Sequence, residues 1–322
     1  MHPHRAAHRE QIADGCFAWV QPDGGWGLSN AGLVVGTESS LLVDTLFDLS
    51  STGRMLEDFR PLLAEAPIQV VVNTHANGDH WFGNQLLPEA EIIASAAAAQ
   101  EMRRVGPAQL RQLLTSTAPT GPFVRDIFGG FDFDAVDPCY PTRTFTGNIA
   151  LEVGGVDVHL IEVGPAHTDG DVIVYVPSAR TVFTGDIVFN EGTPIMWAGP
   201  VSGWLAALET VARLDIDTVV PGHGPVAGPQ CLEPARRYLE RVHAVATAGY
   251  HAGRTAISAA REIADGEPAL FRHPPESERL IANVHAIYGE LDPDYQVPSP
   301  PQLFGCMAEL LETCHGRDSD PA

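Results

Sequence analysis

The sequence predicts an α/β protein made of two similar β/α halves facing each other across a site, followed by a helical C-terminal extension. Three observations carry this prediction. Short β-branched runs lead into a buried-type strand that ends in a histidine-rich loop. The order strand-set, helix, loop then recurs, and from Cys231 onward the chain is helical in pattern almost throughout.

Taken in order, residues 1–13 (MHPHRAAHREQIA) read as a flexible terminus, with His2, His4 and His8 as solvated side chains. From Cys16 to Asp44, CFAWV, a Gly-rich turn, AGLVVG and SLLVD predict antiparallel strands. Residues 49–64 have helical spacing, weakened by Gly53 and Pro61, and IQVVVNT at 68–74 is a continuous apolar run of buried-strand type. SAAAAQEMRRV and PAQLRQLLTS predict two helices, and the Gly/Pro/Asp/Phe-rich stretch from Ala118 to Pro141 predicts a long irregular segment of the kind that carries function. The second set follows as NIALEV, VDVHLIEV, DVIVYVP and TVFTGDIVF, a helix at 202–213, and a strand DTVVPG running into His223. Residues 14–230 are therefore expected to form the catalytic domain, and 231–322 a helical extension packed on it, broken by prolines at 274–275 and 298–301. Three roles are open to that extension: covering the site, making homodimer contacts, or padding the sheet. Padding and dimerisation are expected over a catalytic part.

Composition narrows the function classes. At 322 residues the chain holds one large domain or two ordinary ones, and 44% hydrophobic with 19% charged residues is the make-up of a soluble globular protein. Acidic residues outnumber basic ones 41 to 19, a formal charge of −22 that repels polyanions, so nucleic acid is not expected as a partner. Five scattered cysteines (Cys16, Cys139, Cys231, Cys306, Cys314) without a CxxC pair argue for a reducing compartment rather than a disulfide framework. No apolar leader and no run near 18 apolar residues is present, so a cytoplasmic protein without a membrane partner is expected.

The chemistry concentrates at strand ends. His75-Ala76-Asn77-Gly78-Asp79-His80 leaves the buried strand with three imidazole or carboxylate groups in six positions, and Gly78 is expected to permit the sharp turn. Three further polar residues share the same setting of strand, turn and glycine: His167 in VGPAHTDGD, Asp186 in VFTGDIVF and His223 in VVPGHGP. Nitrogen and carboxylate donors of this mix suit zinc, manganese or iron. Trp26 in DGGWG and Met196-Trp197 in GTPIMWAG are candidate substrate-pocket walls, whereas Trp81 and Phe82 are expected in the core. Asp44, Thr74 and Thr168 are placed to orient the histidines.

These segments, with LLVDT at Asp44, resemble in order the motifs of the metallo-β-lactamase superfamily (HxHxDH, then His, Asp and His) over roughly residues 14–228. The resemblance implies an αββα sandwich with metal at one edge, His75 and His167 at a first position, Asp79, His80 and His223 at a second, and Asp186 bridging. Asn77 departs from the pattern: it stands where the family has its second histidine, and an amide oxygen is a poorer zinc donor than imidazole. Either the first site is weak or empty, or Asn77 contacts substrate or a water; a plain turn role is the bland alternative. A robust second site and a first site of reduced affinity are expected.

A bound cation would lower the pKa of water from 15.7 toward about 7 and polarise a carbonyl or hold an enolate, with Asp79 and Asp186 orienting the nucleophile and passing its proton. The expected activity is hydrolysis of a thioester, lactone or related acyl bond of an apolar or aromatic substrate, free or carrier-bound. GPAHTDGD, TGDIVFNEGTPIMWAGP and PGHGPV also resemble a bacterial branch that includes polyketide thioesterase- and cyclase-like proteins, so a cyclase or lyase using an enolate is the alternative. A mono-iron persulfide dioxygenase ranks below it, because such enzymes keep the histidine that Asn77 replaces. A β-lactamase proper would be expected to carry a signal peptide, and a non-catalytic module would not be expected to retain the remaining ligands.

Overall fold

The computed structural model describes residues 6–22, 24–266 and 276–315. Two sheets stack face to face. The first has seven strands in chain order: β1 (His8–Ala13), β2 (Cys16–Val20), β3 (Ala31–Val35), β4 (Ser40–Val43), β5 (Ile68–Val72), β6 (Glu91–Ser95) and β7 (Arg143–Phe145). It is antiparallel from β1 to β4 and parallel from β4 to β7. The second runs β12-β11-β10-β9-β8, with β8 (Asn148–Val153), β9 (Val156–Glu162), β10 (Val172–Val176), β11 (Thr181–Phe189) and β12 (Thr218–His223); only the β11–β12 pair is parallel.

The sheets meet through alternating inward residues: Ala18, Val34, Leu41, Val43 and Val72 from the first against Val158, Leu160, Val172, Val174 and Phe183 from the second. Each such aliphatic side chain contributes about 1.5–3 kcal/mol on full burial. On the outer face of the first sheet lies α1 (Leu49–Phe59), whose Met55 and Phe59 pack with Leu33, Leu42 and Val71. Asp48 caps it, accepting the Ser51 N–H at 2.7 Å, and the helix stops before Pro61, which cannot continue it. The outer face of the second sheet is covered by α5 (Val201–Ala212) and α6 (Leu232–His251), giving the αββα order.

Three sequence expectations need correction. Order begins earlier than residue 14: His8–Ala13, inside the supposed flexible terminus, pairs with β2 as an edge strand. Its outward, mostly exposed HREQIA carries no apolar alternation to betray it; His2 and His4 lie outside the described residues. The segment 118–141 is not wholly irregular, because α4 (Thr120–Phe128) buries Phe123, Val124 and Phe128 and tolerates Pro122 in its first turn. The prolines at 300 and 301 likewise open a helix rather than break one.

Between β6 and α4 come α2 (Ala96–Met102) and α3 (Pro107–Leu114). After α6, the extension continues as α7 (Ala256–Gly266), α8 (Arg279–Leu291) and α9 (Pro300–His315). Its buried residues, among them Leu239, Ala260, Val284 and Met307, share one hydrophobic core with Trp204 and Leu208 of α5 and with Ala76 and Trp81 beside the histidine loop. The prolines at 274–275 lie outside the described residues.

Candidate metal centre

The strand ends converge. Asp44 follows β4 and His75 follows β5, neighbouring parallel strands of the first sheet; Asp186 lies on β11 and His223 ends β12, parallel neighbours in the second; His167 sits on the β9–β10 connection. Carboxyl ends of parallel strands are the usual ligand edge of α/β sheets. There, one donor atom each of His75, His167 and Asp186 lie within 4.8 Å of one another, and so do those of Asp79, His80 and His223. Asp186 joins the groups: its Oδ2 is 3.3 Å from His167 Nε2, 3.8 Å from His75 Nε2 and 3.5 Å from His223 Nε2, and its Oδ1 is 3.2 Å from His80 Nε2. Asp79 Oδ2 lies 3.3 Å from His223 Nε2 and 3.9 Å from His80 Nε2.

Neighbouring groups fix which nitrogen faces inward. Asp44 is the hub: its carboxylate accepts the Thr74 N–H (2.7 Å), the Thr74 hydroxyl (2.8 Å) and His80 Nδ1–H (2.8 Å). With its hydroxyl proton given to Asp44, Thr74 Oγ1 accepts from His75 Nδ1–H at 3.0 Å. His167 Nδ1–H donates to the Ile195 carbonyl at 2.7 Å. All three rings therefore turn Nε2 toward Asp186, the arrangement in which a protein presents imidazole to a cation. Asp44 is held at φ 60°, a left-handed conformation costly for a residue with a side chain, and its three donors hold it there.

The atoms left over fit a cation. His75 Nε2, His80 Nε2 and Asp186 Oδ1 are buried without a hydrogen-bond partner. Unpaired buried polar atoms are rare and costly, and these three belong to the two groups that Asp186 joins. The electrostatics agree. Burial, reinforced by His80, holds the His75 ring well below its ordinary pKa, and burial takes His167 down to about 4. Burial also opposes charge on His80 and His223, yet Asp186 and its neighbouring carboxylates raise His80 well above the usual range and His223 to about 9. The cluster draws positive charge into a closed space, and its nitrogen and carboxylate donors suit a borderline divalent ion.

Asn77 enters this arrangement directly. Its Oδ1 lies 3.0 Å from His167 Nε2, an atom whose lone pair is free because Nδ1 carries the proton. Two acceptors this close repel unless a cation lies between them or the amide turns its Nδ2–H inward. The loop packs tightly: Gly78, expected to permit the sharp turn, has no positive φ, but a Cβ there would meet the Phe82 and Phe47 rings at 2.5 and 2.9 Å. Gly222 is needed for a similar reason, since its Cβ would lie 1.9 Å from Asp186 Oδ1. Ser29 Oγ donates to the Asp79 carbonyl at 2.5 Å, and Asn73 and Asn84 pair with each other beneath the loop, Asn73 Nδ2 also reaching the His80 carbonyl. Thr168, expected to orient a histidine, donates to Asp171 instead.

The candidate pocket walls are partly assembled here. The Trp26 and Trp197 rings lie 6.5 Å apart, with Phe128 of α4 and Phe304 of α9 against Trp26 at 5.8 and 6.1 Å, and the Trp197 N–H donates to the His167 carbonyl. Met196 is 2% exposed and belongs to the core, so it lines no open space. Trp81 and Phe82 are core residues, as expected. The sequence reading missed Glu278, Arg279 and Asn283 of the extension, which reach the loops around His167 and Trp26. A helical pattern shows which face is buried but not what it meets.

Among the described residues no helix is long and apolar enough to cross a membrane. The model of the metallo-beta-lactamase superfamily matches residues 24–223. The chain is 24% identical over 221 residues to 2,4-dinitroanisole O-demethylase subunit alpha of Nocardioides sp. (strain JS1661), a match covering 66% of this chain and 54% of that one, so it spans about half of that relative. It is 25% identical over 218 residues to metallo-beta-lactamase type 2 of Bacillus cereus, covering 65% and 73%. Among solved structures, the sec-alkylsulfatase Pisa1 of Pseudomonas sp. superposes with a TM-score of 0.64 at 17% identity over 92% of this chain and 52% of its own, a likeness of fold. With more than half of its length matched by the family model, and that fold and edge cluster in place, the chain belongs to the metallo-beta-lactamase superfamily.

Proposed function

We propose that this chain is a metal-dependent hydrolase, using zinc, that cleaves a thioester, lactone or related acyl bond of an apolar or aromatic substrate. The observation that carries the reading is the pair of buried His/Asp groups in which His75 Nε2, His80 Nε2 and Asp186 Oδ1 lack hydrogen-bond partners. His75, His167 and Asp186 would hold one cation, with the Asn77 amide beside them, and Asp79, His80 and His223 the other. A divalent ion bound there supplies Lewis acidity, lowering the pKa of water from 15.7 toward about 7 and polarising a carbonyl.

The chain's own residues do the rest. Asp79 has the most exposed side chain of the six, at 13%, and is positioned to accept a proton at Oδ2 and deliver it to a leaving group. The Ser29 hydroxyl steadies its backbone. Trp26 and Trp197, partly buried, offer ring faces beside the His167 loop, backed by the buried rings of Phe128 and Phe304, a setting for an apolar acyl or aryl group. A polyanion is disfavoured: beyond the net charge of −22, Arg143 is paired with Glu91, and Arg180 with Asp215 and Asp217. The resemblance to the polyketide thioesterase- and cyclase-like branch supports an acyl chain, free or carrier-bound, and the O-demethylase relative acts on an aromatic compound.

The test is a panel of acyl thioesters, aryl lactones, a β-lactam and 2,4-dinitroanisole, assayed with the zinc-loaded protein and with Asp79→Ala. Release from thioesters or lactones that falls at least about 100-fold in the variant supports the reading. Equal release by both proteins, or turnover of only the β-lactam or the aryl ether, overturns it.

A further inference from the structure

The start of α8 carries buried polar groups that the hydrolase reading leaves without a task. Arg279 and Asn283 are 1% and 2% exposed. Padding a sheet needs aliphatic side chains, since buried amides and guanidinium groups cost free energy unless their hydrogen bonds are made. Asn283 makes all of those open to its side-chain hydrogens: Nδ2 donates to the Pro194 carbonyl at 3.0 Å and to Tyr238 Oη at 2.9 Å, while Oδ1 accepts the Met196 N–H at 2.7 Å. Arg279 Nη1 adds a bond to the Thr193 carbonyl at 2.7 Å. The backbone is thus gripped on both sides of Ile195.

Ile195 is the residue whose carbonyl receives His167 Nδ1–H, and residues two and three positions further on return the contact, the Trp197 and Ala198 N–H groups donating to the His167 carbonyl at 3.0 and 3.2 Å. The same helix end reaches two more parts of the centre. Trp26 Nε1–H donates to Glu278 at 2.8 Å, and the Arg279 guanidinium lies over Trp26 at 4.4 Å and over Phe189 at 5.8 Å. Phe189 in turn stacks flat on the His223 ring, 5.1 Å between centroids.

We propose that Asn283 is a positioning residue for His167: by holding Pro194 and Met196 it sets the Ile195 carbonyl, and with it the tautomer and tilt of the imidazole, so that the C-terminal extension is a working part of the metal centre. The inference rests on His75, His167 and Asp186 forming a cation group. Arg279, acting on Thr193 and Phe189, makes the same helix a common support for His167 and His223.

The test is a Zn2+ titration of the full chain against a competing chelator, comparing wild type, Asn283→Ala, Asn283→Asp, His167→Ala and the Asn283→Ala/His167→Ala double variant. Tyr288→Phe, which removes a bond from α8 to the Arg254 carbonyl, is the control for general damage to the helix. Asn283→Asp keeps the size and the Met196 bond but turns an acceptor toward Pro194, so a folding defect of the alanine variant does not decide the matter. The expected result is that both Asn283 variants weaken one of two zinc ions about tenfold or more while the other and the Tyr288→Phe protein stay near wild type. Once His167 is already alanine, Asn283→Ala should change nothing further. Unchanged zinc affinity in the Asn283 variants, or an equal loss in the His167→Ala background, overturns the proposal and leaves the metal reading intact; a wild-type protein that takes up no zinc overturns both.

Discussion

Around each histidine, hydrogen bonds set the ring before any ligand arrives. Asp44 takes His80 Nδ1–H directly and reaches His75 through the Thr74 hydroxyl, so one carboxylate governs two rings. Asp44→Ala should therefore weaken metal binding about 10–100-fold without touching a proposed ligand, as measured by chelator competition; an unchanged affinity would contradict the relay. At Asn77, restoring an imidazole with Asn77→His should tighten the His75–His167–Asp186 group by about tenfold or more, because imidazole is the better zinc donor. A titration in which neither zinc step moves would show that Asn77 is a turn residue only. His75 and His223 were legible in the sequence because each ends a β-branched run, with Asp79 and His80 in the loop after His75; Asp186 lies within β11 rather than at its end, and His167 on the β9–β10 connection. The work of Asp44 was legible only as a guess, since its three donors come from residues 30 and 36 positions away.

Among the elements, the sheets were the easiest to read: continuous Val/Ile runs such as IQVVV and VIVYV leave few alternatives. Helix α4 escaped notice because Gly121 and Pro122 disguise a first turn, and β1 because an exposed edge strand has no apolar rhythm. Helices α4 and α9 meet at Phe128 and Phe304, 5.8 Å apart beside Trp26. Phe304 is 6% exposed, so Phe304→Ala should cost about 3–5 kcal/mol in chemical denaturation and, by opening space next to Trp26, raise KM for small aryl substrates more than it lowers kcat. A stability loss with KM unchanged would confine this ring to packing.

For the whole molecule, the C-terminal helices, the second sheet and the histidine loop share one hydrophobic core, which explains how a tail read as padding comes to support the site. Topological contacts of that kind are invisible to periodicity, which identifies the buried face of α8 but not its neighbours. The coupling has a thermodynamic consequence. Cations that bind only the folded chain stabilise it by about 4 kcal/mol at a thousandfold excess over Kd, so stripping metal with a chelator should lower Tm by several degrees and adding zinc should restore it. A thermal midpoint indifferent to both would place metal outside the folding equilibrium.

The claim on which the rest depends is that the two His/Asp groups each hold a divalent ion. Elemental analysis of untagged protein, dialysed against trace zinc and then against excess, tests it directly when repeated on His167→Ala and His223→Ala. The account predicts about one ion per chain at trace zinc, lost in His223→Ala, and a second at excess zinc, lost in His167→Ala. Metal content no higher in the wild type than in a His167→Ala/His223→Ala double variant would contradict it.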